Sequence, residues 1–480
     1  MSLLDSLKGI FNITSVDIGE LNRRAINMNN NSDYPALDPL DGVEITDEYK
    51  LVKSLIEDGY PIVFVSGKAG TGKTTMIQYL RQVLNKNIVV VAPTGVAALN
   101  VQGVTIHSFF HFPPRIIVDE DINIIRSRQL YEHLDVLIID EVSMVRADIL
   151  DAIDKFLRKN RRQLYQPFGG VQLLLVGDLF QLPPIITRSE EQFFSCNYPS
   201  PFFFSAKALQ NCQLIPIELT KIFRQVDPVF TDTLNKIRVA EQLDTILPKI
   251  NQVCYADNKV TAPLLTLTCT NDSADQKNIT ELEKLPGRSR IFQGVASGKF
   301  SIENEKLPSP FYLTLKVGAQ VMFTKNDDSK RWVNGSLGKV VDFDDSSIQV
   351  QLLSDNPGGT YGVHRVKWET YRYEYDVVLN KIKPVVAGSY TQFPLMLSWA
   401  VTIHKSQGKT LKNVLIDLGY GAFAPGQVYV ALSRCRSMDD ISLVRPIEKH
   451  EVKCDETVKR FYLAVTELMK DIDGTPSELF

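Results

Sequence analysis

Short, unbroken apolar runs punctuate this chain, and a polar or glycine-containing loop follows each of them. Ile62–Val65, Ile88–Val91, Val136–Ile139 and Leu173–Val176 come first, with Leu264–Thr270 and Val414–Asp417 further on. Runs that apolar suit parallel strands covered by helices on both faces, so a doubly wound α/β pattern is predicted from about residue 46. Ligands of such sheets bind beyond the carboxyl ends of the strands, where these loops lie. The pattern changes between about 311 and 386. There Ile348, Val350 and Leu352 alternate with polar residues, as do Tyr371, Tyr373 and Tyr375, and turn signals stand at Asn334-Gly335 and Asn356-Pro357-Gly358-Gly359. This predicts a small antiparallel β unit. The α/β pattern resumes near Ser398. At the chain's start, Leu3, Leu7 and Ile10 recur at helical spacing, ahead of a polar stretch at Asn27–Asp33 and a turn-rich Pro35–Gly42. These read as a peripheral tether. After about 455, Val458, Phe461, Val465 and Leu468 share one face of a C-terminal helix.

Composition narrows the class. A chain of 480 residues exceeds one typical core, and about three domains are expected. With 44% hydrophobic and 23% charged residues it has the balance of a soluble protein, and no apolar run is long enough to span a bilayer. The N-terminus has neither a secretory nor an organellar transit layout, so a cytoplasmic protein is expected, nucleoid-associated if bacterial. The six cysteines are far apart without a CxxC pair, which argues for free thiols and against zinc. The net charge of −3 means that any contact with phosphates comes from a local groove.

The chemistry begins at Gly67-Lys68-Ala69-Gly70-Thr71-Gly72-Lys73-Thr74, which fits the P-loop pattern between a predicted strand and a helix opening at Thr75. The glycines let the backbone wrap close to phosphates, with its N–H groups and the helix N-terminus aimed at anionic oxygens. Lys73 can reach the β- and γ-phosphates of ATP, and Thr74 can hold Mg²⁺. Asp140-Glu141 ends the Val136–Ile139 strand. Asp140 would hold the metal and Glu141 would polarise the attacking water as general base. Gln181, after the Leu173–Val176 strand, has the chemistry to hydrogen-bond a γ-phosphate or its water; a simple loop amide is the other reading.

In order along the chain stand Gly67–Thr74, Ala92–Ala98, Thr105–Phe109, Asp140–Met144 and Gly177–Pro184. They resemble the first motor domain of a superfamily-one helicase of the petite-integration-frequency (PIF) family, related to the RecD and Dda enzymes. Arg146–Gly170 resembles that family's signature insert, with a buried stripe at Leu150, Ile153 and Leu157. Its basic residues Lys155, Arg158, Lys159, Arg161 and Arg162 leave a structural and a DNA-facing role both open. Phe109-Phe110-His111-Phe112-Pro113-Pro114 could be a wedge against duplex DNA, a stacking surface for bases, or local core. Glu218–Gln225 resembles the motif at the junction of the motor domains and makes Arg224 a candidate γ-phosphate ligand. Ser398–Gly408 resembles a motif that touches both DNA backbone and nucleotide, and Gly426–Arg436 resembles the closing motif, with Arg434 as arginine finger.

The resemblance covers roughly residues 46 to 450. It implies two RecA-like P-loop motor domains with a small inserted SH3-like β-barrel and a short wedge insertion. The expected layout is a peripheral segment at 1–45, then a first motor domain at 46–226. That domain carries a wedge near 109–125 and the signature insert at 146–170. The second motor domain follows at 227–310 and 387–455, with the barrel at 311–386, and the C-terminal helix and tail fill 456–480. The implied activity is 5′-to-3′ ATP-dependent DNA unwinding, on forks, folded G-rich DNA or RNA–DNA hybrids, by a monomer whose protein partners the sequence does not name. ATP and Mg²⁺ are the implied cofactors. The implied nucleotide ligands are residues 67–75 and Gly408, with Lys73, Glu141, Gln181, Arg224 and Arg434 catalytic. The implied nucleic-acid contacts are Pro93, Thr94, Gly95, His107, Phe109, Thr402, His404 and Lys405. One departure stands out: Ile45–Lys50 lacks the glutamine that in the family reads adenine. Two rivals are a P-loop ATPase that remodels protein and a DNA-binding scaffold without motor action.

Overall fold

The computed structural model describes residues 43–473, apart from positions 127, 211, 226, 256–264, 301–306 and 354–356. The N-terminal helix expected at residues 3–10 and its tether lie outside the described residues. The first lobe holds β1 (Ile62–Gly67), β2 (Ile88–Ala92), β3 (Val104–Thr105), β4 (Val136–Ile139), β5 (Gln172–Gly177) and β6 (Leu214–Leu219). They form one sheet in the order β3-β2-β4-β5-β1-β6, with every pair parallel.

Two cores explain why these strands carry so few polar residues. Ile62, Phe64, Leu137, Ile139, Leu173 and Leu175 face one of them. Val63, Val65, Val136, Ile138, Leu174 and Val176 face the other. Alternate side chains of a strand point to opposite faces, so a doubly covered strand must be apolar throughout. Helices α1 (Asp47–Glu57) and α2 (Lys73–Val83) cover the second face through Val52, Leu55, Ile77 and Leu80. Short helices α3 (Gly95–Asn100) and α4 (Ile106–Phe110) follow β2 and β3. The signature insert supplies α5 (Ala147–Arg161), which buries Leu150, Ile153 and Leu157 in the first core.

The basic residues of α5 are mostly tied down locally. Lys155 pairs with Asp119 and Arg158 with Asp154, Lys159 donates to the Ile122 carbonyl, and Arg161 donates to the carbonyls of Leu134 and Gly169. The helix thus braces the 109–125 segment rather than offering a row of unpaired cations. The aromatics of that segment are core as well. Phe109, Phe110 and Phe112 pack with Tyr131 and Phe156, and the Tyr131 hydroxyl donates to the Phe109 carbonyl at 2.8 Å. Phe109, expected above as a nucleic-acid contact, is only 5% exposed and packs edge-on against Phe110, Tyr131 and Tyr373.

The second lobe is interrupted. After α6 (Pro228–Arg238), α7 (Leu243–Cys254), β7 (Leu265–Thr268) and α8 (Asn271–Lys284), the chain leaves for an antiparallel unit. Its strands are β8 (Arg290–Gln293), β9 (Val295–Gly298), β10 (Tyr312–Leu315), β11 (Gln320–Phe323), β12 (Leu337–Phe343), β13 (Ser347–Leu353), β14 (Pro357–His364), β15 (Val366–Asp376), β16 (Lys381–Gln392) and β17 (Leu395–Leu397). They form the sheets β14-β13-β12-β11-β17, β15-β16-β9 and β10-β8. The unit is therefore wider than the expected 311–386: β8 and β9 pair with β10 and β16, and β17 pairs with β11. Ile348 and Val350 lie on its buried face beside Val340 and Val363. Pro357–Gly359, read as a turn, are residues of β14.

The lobe resumes with β18 (Ala400–Thr402), β19 (Val414–Asp417), α9 (Gln427–Leu432) and β20 (Ile441–Leu443), in a parallel sheet ordered β18-β7-β19-β20. The C-terminal helix α10 (Glu456–Asp473) returns to the first lobe, where Val458, Phe461 and Val465 join its core. The side chain of Leu468 lies outside the described residues. No described helix is long and apolar enough to cross a membrane, and no disulfide joins the six cysteines.

Candidate active site

β1 delivers the chain to the P-loop, and α2 starts at Lys73. Gly70 and Gly72 have left-handed backbone, at φ +86° and +82°. A Cβ at Gly70 would stand 2.5 Å from the Arg224 Cβ, and one at Gly72 2.3 Å from the Tyr49 hydroxyl. Conformation and crowding together demand glycine. The loop is stapled from within and behind. Thr71 Oγ1 donates to the Lys68 carbonyl at 3.0 Å, Tyr49 to the Gly72 carbonyl at 2.8 Å, and Lys73 Nζ to the carbonyls of Gly67 and Lys68 at 2.7 and 3.0 Å. The unpaired N–H groups of the first turn of α2 therefore face the space ahead of the loop, with the positive end of the helix dipole.

β4 ends in Asp140 and Glu141. Glu141 has φ +50°, a conformation that few residues with a side chain adopt. Burial raises both carboxyls: Asp140 is pushed up to about 7 by desolvation and then by the Glu141 charge, while Lys73 and Arg434 pull Glu141 the other way. Burial lowers Lys73, against the pull of Asp178, Glu141 and Asp140. At the end of β5, Asp178 accepts from the Gln181 side chain at 3.2 Å.

From the second lobe comes Arg434, only 1% exposed. Its Nε donates to the Val430 carbonyl and its Nη2 to Ser433 Oγ, both at 2.9 Å, so its own segment aims it, and no carboxylate among the described residues forms an ion pair with it. Burial and then the neighbouring Arg224 lower it to about 9. Gln407 bridges the lobes. Its Nε2 donates to Gln181 Oε1 at 3.0 Å and to Glu141 Oε2 at 3.3 Å.

A cavity of about 590 Å³ opens between these groups. Ala69, Gly70, Gly72, Lys73, Thr74, Thr75, Glu141, Gln181 and Arg224 line it from the first lobe, and Gly408, Thr410, Arg434 and Arg436 from the second. Val43, Glu44, Tyr49 and Phe223 complete the wall. Four cations against two carboxylates suit a polyanion. Of the expected nucleotide residues, Gly67, Lys68 and Thr71 shape the loop without forming this wall; Asp140, the expected metal ligand, is buried and does not line it either. Arg224 sits in the seam, reaching the Ser433 and Gly408 carbonyls at 3.4 and 3.5 Å.

The expected nucleic-acid residues are apart from this cavity. Pro93, Thr94 and Gly95 follow β2 and are half-buried, and His107 lies on α4. Thr94 Oγ1 is occupied as the N-cap of α3, accepting from Ala97 N at 3.2 Å. Thr402 is buried and its hydroxyl accepts from Lys405 N at 3.2 Å, so it shapes a turn. His404 is half-buried and Lys405 exposed. Sequence reasoning passed over Gln407, Asp178 and Tyr429, although each lies inside a motif it quoted. It had no signal for Arg238, which ends an ordinary amphipathic helix.

A PIF1-like helicase family model matches residues 45–252. The human ATP-dependent DNA helicase PIF1 is 33% identical over 430 residues, covering 87% of this chain. The chain spans 63% of the length of that relative. The crystal structure of Bacteroides sp Pif1 in complex with ADP-AlF4 is 37% identical, with a TM-score of 0.81 over 88% of this chain and 98% of that one. Bacteroides Pif1 bound to single-stranded DNA is 38% identical over the same shares, with a TM-score of 0.64. Together with the order of the motifs around one interlobe cavity, these likenesses show that the chain belongs to the PIF1-like helicase family.

Proposed function

We propose that this chain is an ATP-dependent DNA helicase that moves 5′-to-3′ on single-stranded DNA and unwinds duplexes, forks and structures such as G-quadruplexes and RNA–DNA hybrids. One observation carries the reading: Lys73 and Glu141 of the first lobe and Arg434 of the second line the same cavity. A motor needs a ligand whose terminal group both lobes hold, because only then does its loss change their spacing. The human relative is an ATP-dependent DNA helicase, and the Bacteroides relative binds ADP-AlF4 and single-stranded DNA; both support the reading.

Thr74 and Asp140 fit Mg²⁺. Both offer oxygen, and a desolvated carboxylate beside a second one is relieved by a cation. An ion held by Thr74 and Asp140 would supply positive charge against the phosphates. Lys73 exchanges its loop carbonyls for the β- and γ-phosphates. Glu141, whose raised pKa suits a base, takes the proton of the attacking water while Gln181 orients it. Arg434 from the second lobe and Arg224 from the seam stabilise the charge on the transferring group. Once that group leaves, the lobes relax. His107 and the turn at 93–95 on one lobe, and His404 and Lys405 on the other, alternately grip and release the DNA backbone. The enzyme works as a cytoplasmic monomer in replication, repair or recombination.

ATP hydrolysis with and without an unpaired oligonucleotide tests this. Strong stimulation is expected; hydrolysis that ignores DNA would point to a protein remodeller, and no hydrolysis to a scaffold. Strand displacement on forks with opposite tails tests polarity, with unwinding expected only from the 5′ tail.

A further inference from the structure

Two buried side chains of the second lobe enter the first at Asp178, and the proposed chemistry uses neither. Arg238, at the end of α6, donates Nε and Nη2 to Asp178 Oδ1 at 3.2 and 3.1 Å. The guanidinium lies 4.2 Å from the Phe180 ring centre and 5.0 Å from that of Tyr462. Tyr429, on α9, donates to Asp178 Oδ2 at 3.0 Å and accepts the Ala69 N–H of the P-loop at 3.2 Å. Backbones nearly touch beside it. A Cβ at Gly426 would stand 2.4 Å from the Phe180 carbonyl oxygen and 2.6 Å from that of Gln181.

The path continues to the catalytic carboxylate. Asp178 holds the Gln181 amide, Gln181 accepts from Gln407, and Gln407 reaches Glu141. Hydrogen bonds thus run from the phosphate loop to the general base, passing from lobe to lobe and back. In this path Tyr429 is the group that touches both the loop and the carboxylate that sets Gln181. Burial and the Asp178 charge push its phenol pKa up, so it remains a donor. With water excluded, a change in one bond of such a chain is felt by its neighbours.

We propose that Tyr429 is a positioning residue for hydrolysis: its hydroxyl ties the setting of the phosphate loop at Ala69 to the placement of Gln181 and Glu141. This rests on the ATPase reading above. Tyr429→Phe keeps the ring and removes the hydroxyl, leaving the Ala69 N–H and one lone pair of Asp178 without their partner. The turnover number for ATP with saturating oligonucleotide is expected to fall about tenfold, the scale of one buried hydrogen bond, with KM changed less than about threefold. Gln407→Met breaks the same path further on. If both act through one path, the double variant turns over no more slowly than the slower single variant. Losses that multiply would overturn the proposal. So would a Tyr429→Phe enzyme that melts at a lower temperature but keeps full turnover, since that is what a structural hydroxyl gives. A wild-type chain that does not hydrolyse ATP sinks the ATPase reading and this inference together; a hydrolysing wild type with an unaffected variant sinks the inference alone.

Discussion

The Val90 amide of the first lobe donates to the Tyr373 hydroxyl of the inserted unit at 3.3 Å. β3 is so short that it pairs only with Val91 and Ala92, which leaves the Val90 N–H at the open edge of β2. An unpaired buried amide is costly, and the β15–β16 hairpin supplies the missing acceptor. The same hairpin takes Asn87 Oδ1 as acceptor for Ile382 N at 2.8 Å and stacks Tyr375 on His133 at 3.9 Å. A unit inserted in the second lobe is thereby fastened to the first.

Tyr373 is buried edge-on against Phe109 as well as under Val90. Tyr373→Ala removes a core ring and is expected to lower unfolding stability by about 3–5 kcal/mol. Tyr373→Phe loses only the hydroxyl, for about 1 kcal/mol. Urea unfolding reads both, and faster hydrogen exchange at the Val90 amide is expected in each. Equal stability of wild type and Tyr373→Ala would mean that the hairpin does not dock.

The two sides of the interlobe cavity separate in experiment. Lys73→Ala is expected to abolish ATP hydrolysis and unwinding while weak DNA binding persists; full activity would refute the role given to Lys73. Arg434→Ala takes away a charge from the opposite lobe, and loss of an arginine finger slows related transfers by about 10³ or more. Because Arg434 is held by Val430 and Ser433 and not by the P-loop, ATP binding should survive. Single-turnover hydrolysis beside equilibrium nucleotide binding distinguishes the two losses.

Much of this fold and site is legible in the sequence. Apolar runs such as Val136–Ile139 are visible because a strand covered on both faces has no position for a polar side chain, and the P-loop because its glycines meet a conformational requirement that few residues satisfy. The boundaries of the β insertion were not legible. β8 and β9 are short and carry exposed residues, so nothing local separates them from the α/β lobe; only their pairing with β10 and β16 does. The burial of Phe109 is not legible in the sequence for a related reason. An aromatic run beside prolines looks the same whether its rings face DNA or a helix, and the partner that decides, Phe156 on α5 beneath the neighbouring Phe110, is far away in sequence. Arg238 gave no signal because its meaning depends wholly on Asp178.

Lys409 gives the clearest pH dependence. Its ammonium donates to the Met322 sulfur at 3.4 Å, and burial, with Lys405 adding, holds its pKa down to about 8 from the ordinary 10.5. Between those values the unfolded chain binds the proton more readily than the folded one, so stability rises with pH through the window. Below about 8 the cost of the buried charge is fully present. Lys409→Met is therefore expected to be more stable than wild type at pH 7, by about 1–3 kcal/mol, and to lack the lysine's share of the rise toward pH 10. Urea unfolding at both pH values checks this; a variant less stable than wild type at pH 7 would show that the ammonium has a favourable partner.

The buried pair of Asp178 and Arg238 makes the opposite case, because here both charges are matched. Burial would raise the Asp178 carboxyl, but Arg238, then Lys73, and the hydrogen bond from Tyr429 hold it below its ordinary value. A carboxylate depressed in the folded state contributes stability at neutral pH, and that contribution is lost only as acid carries the solution below the ordinary carboxylate range and through the folded value. Arg238→Met leaves the carboxylate buried without its cation and is expected to cost about 3–5 kcal/mol. Replacing both partners, as Asp178→Leu with Arg238→Met, removes the two charges together and should recover much of that loss. Hydrolysis should not recover with it, because Gln181 and Tyr429 then have no carboxylate to hold them. Unfolding and turnover measured on the single and double variants would thus part company, and a double variant that regains both would reduce the pair to a structural tie between the lobes.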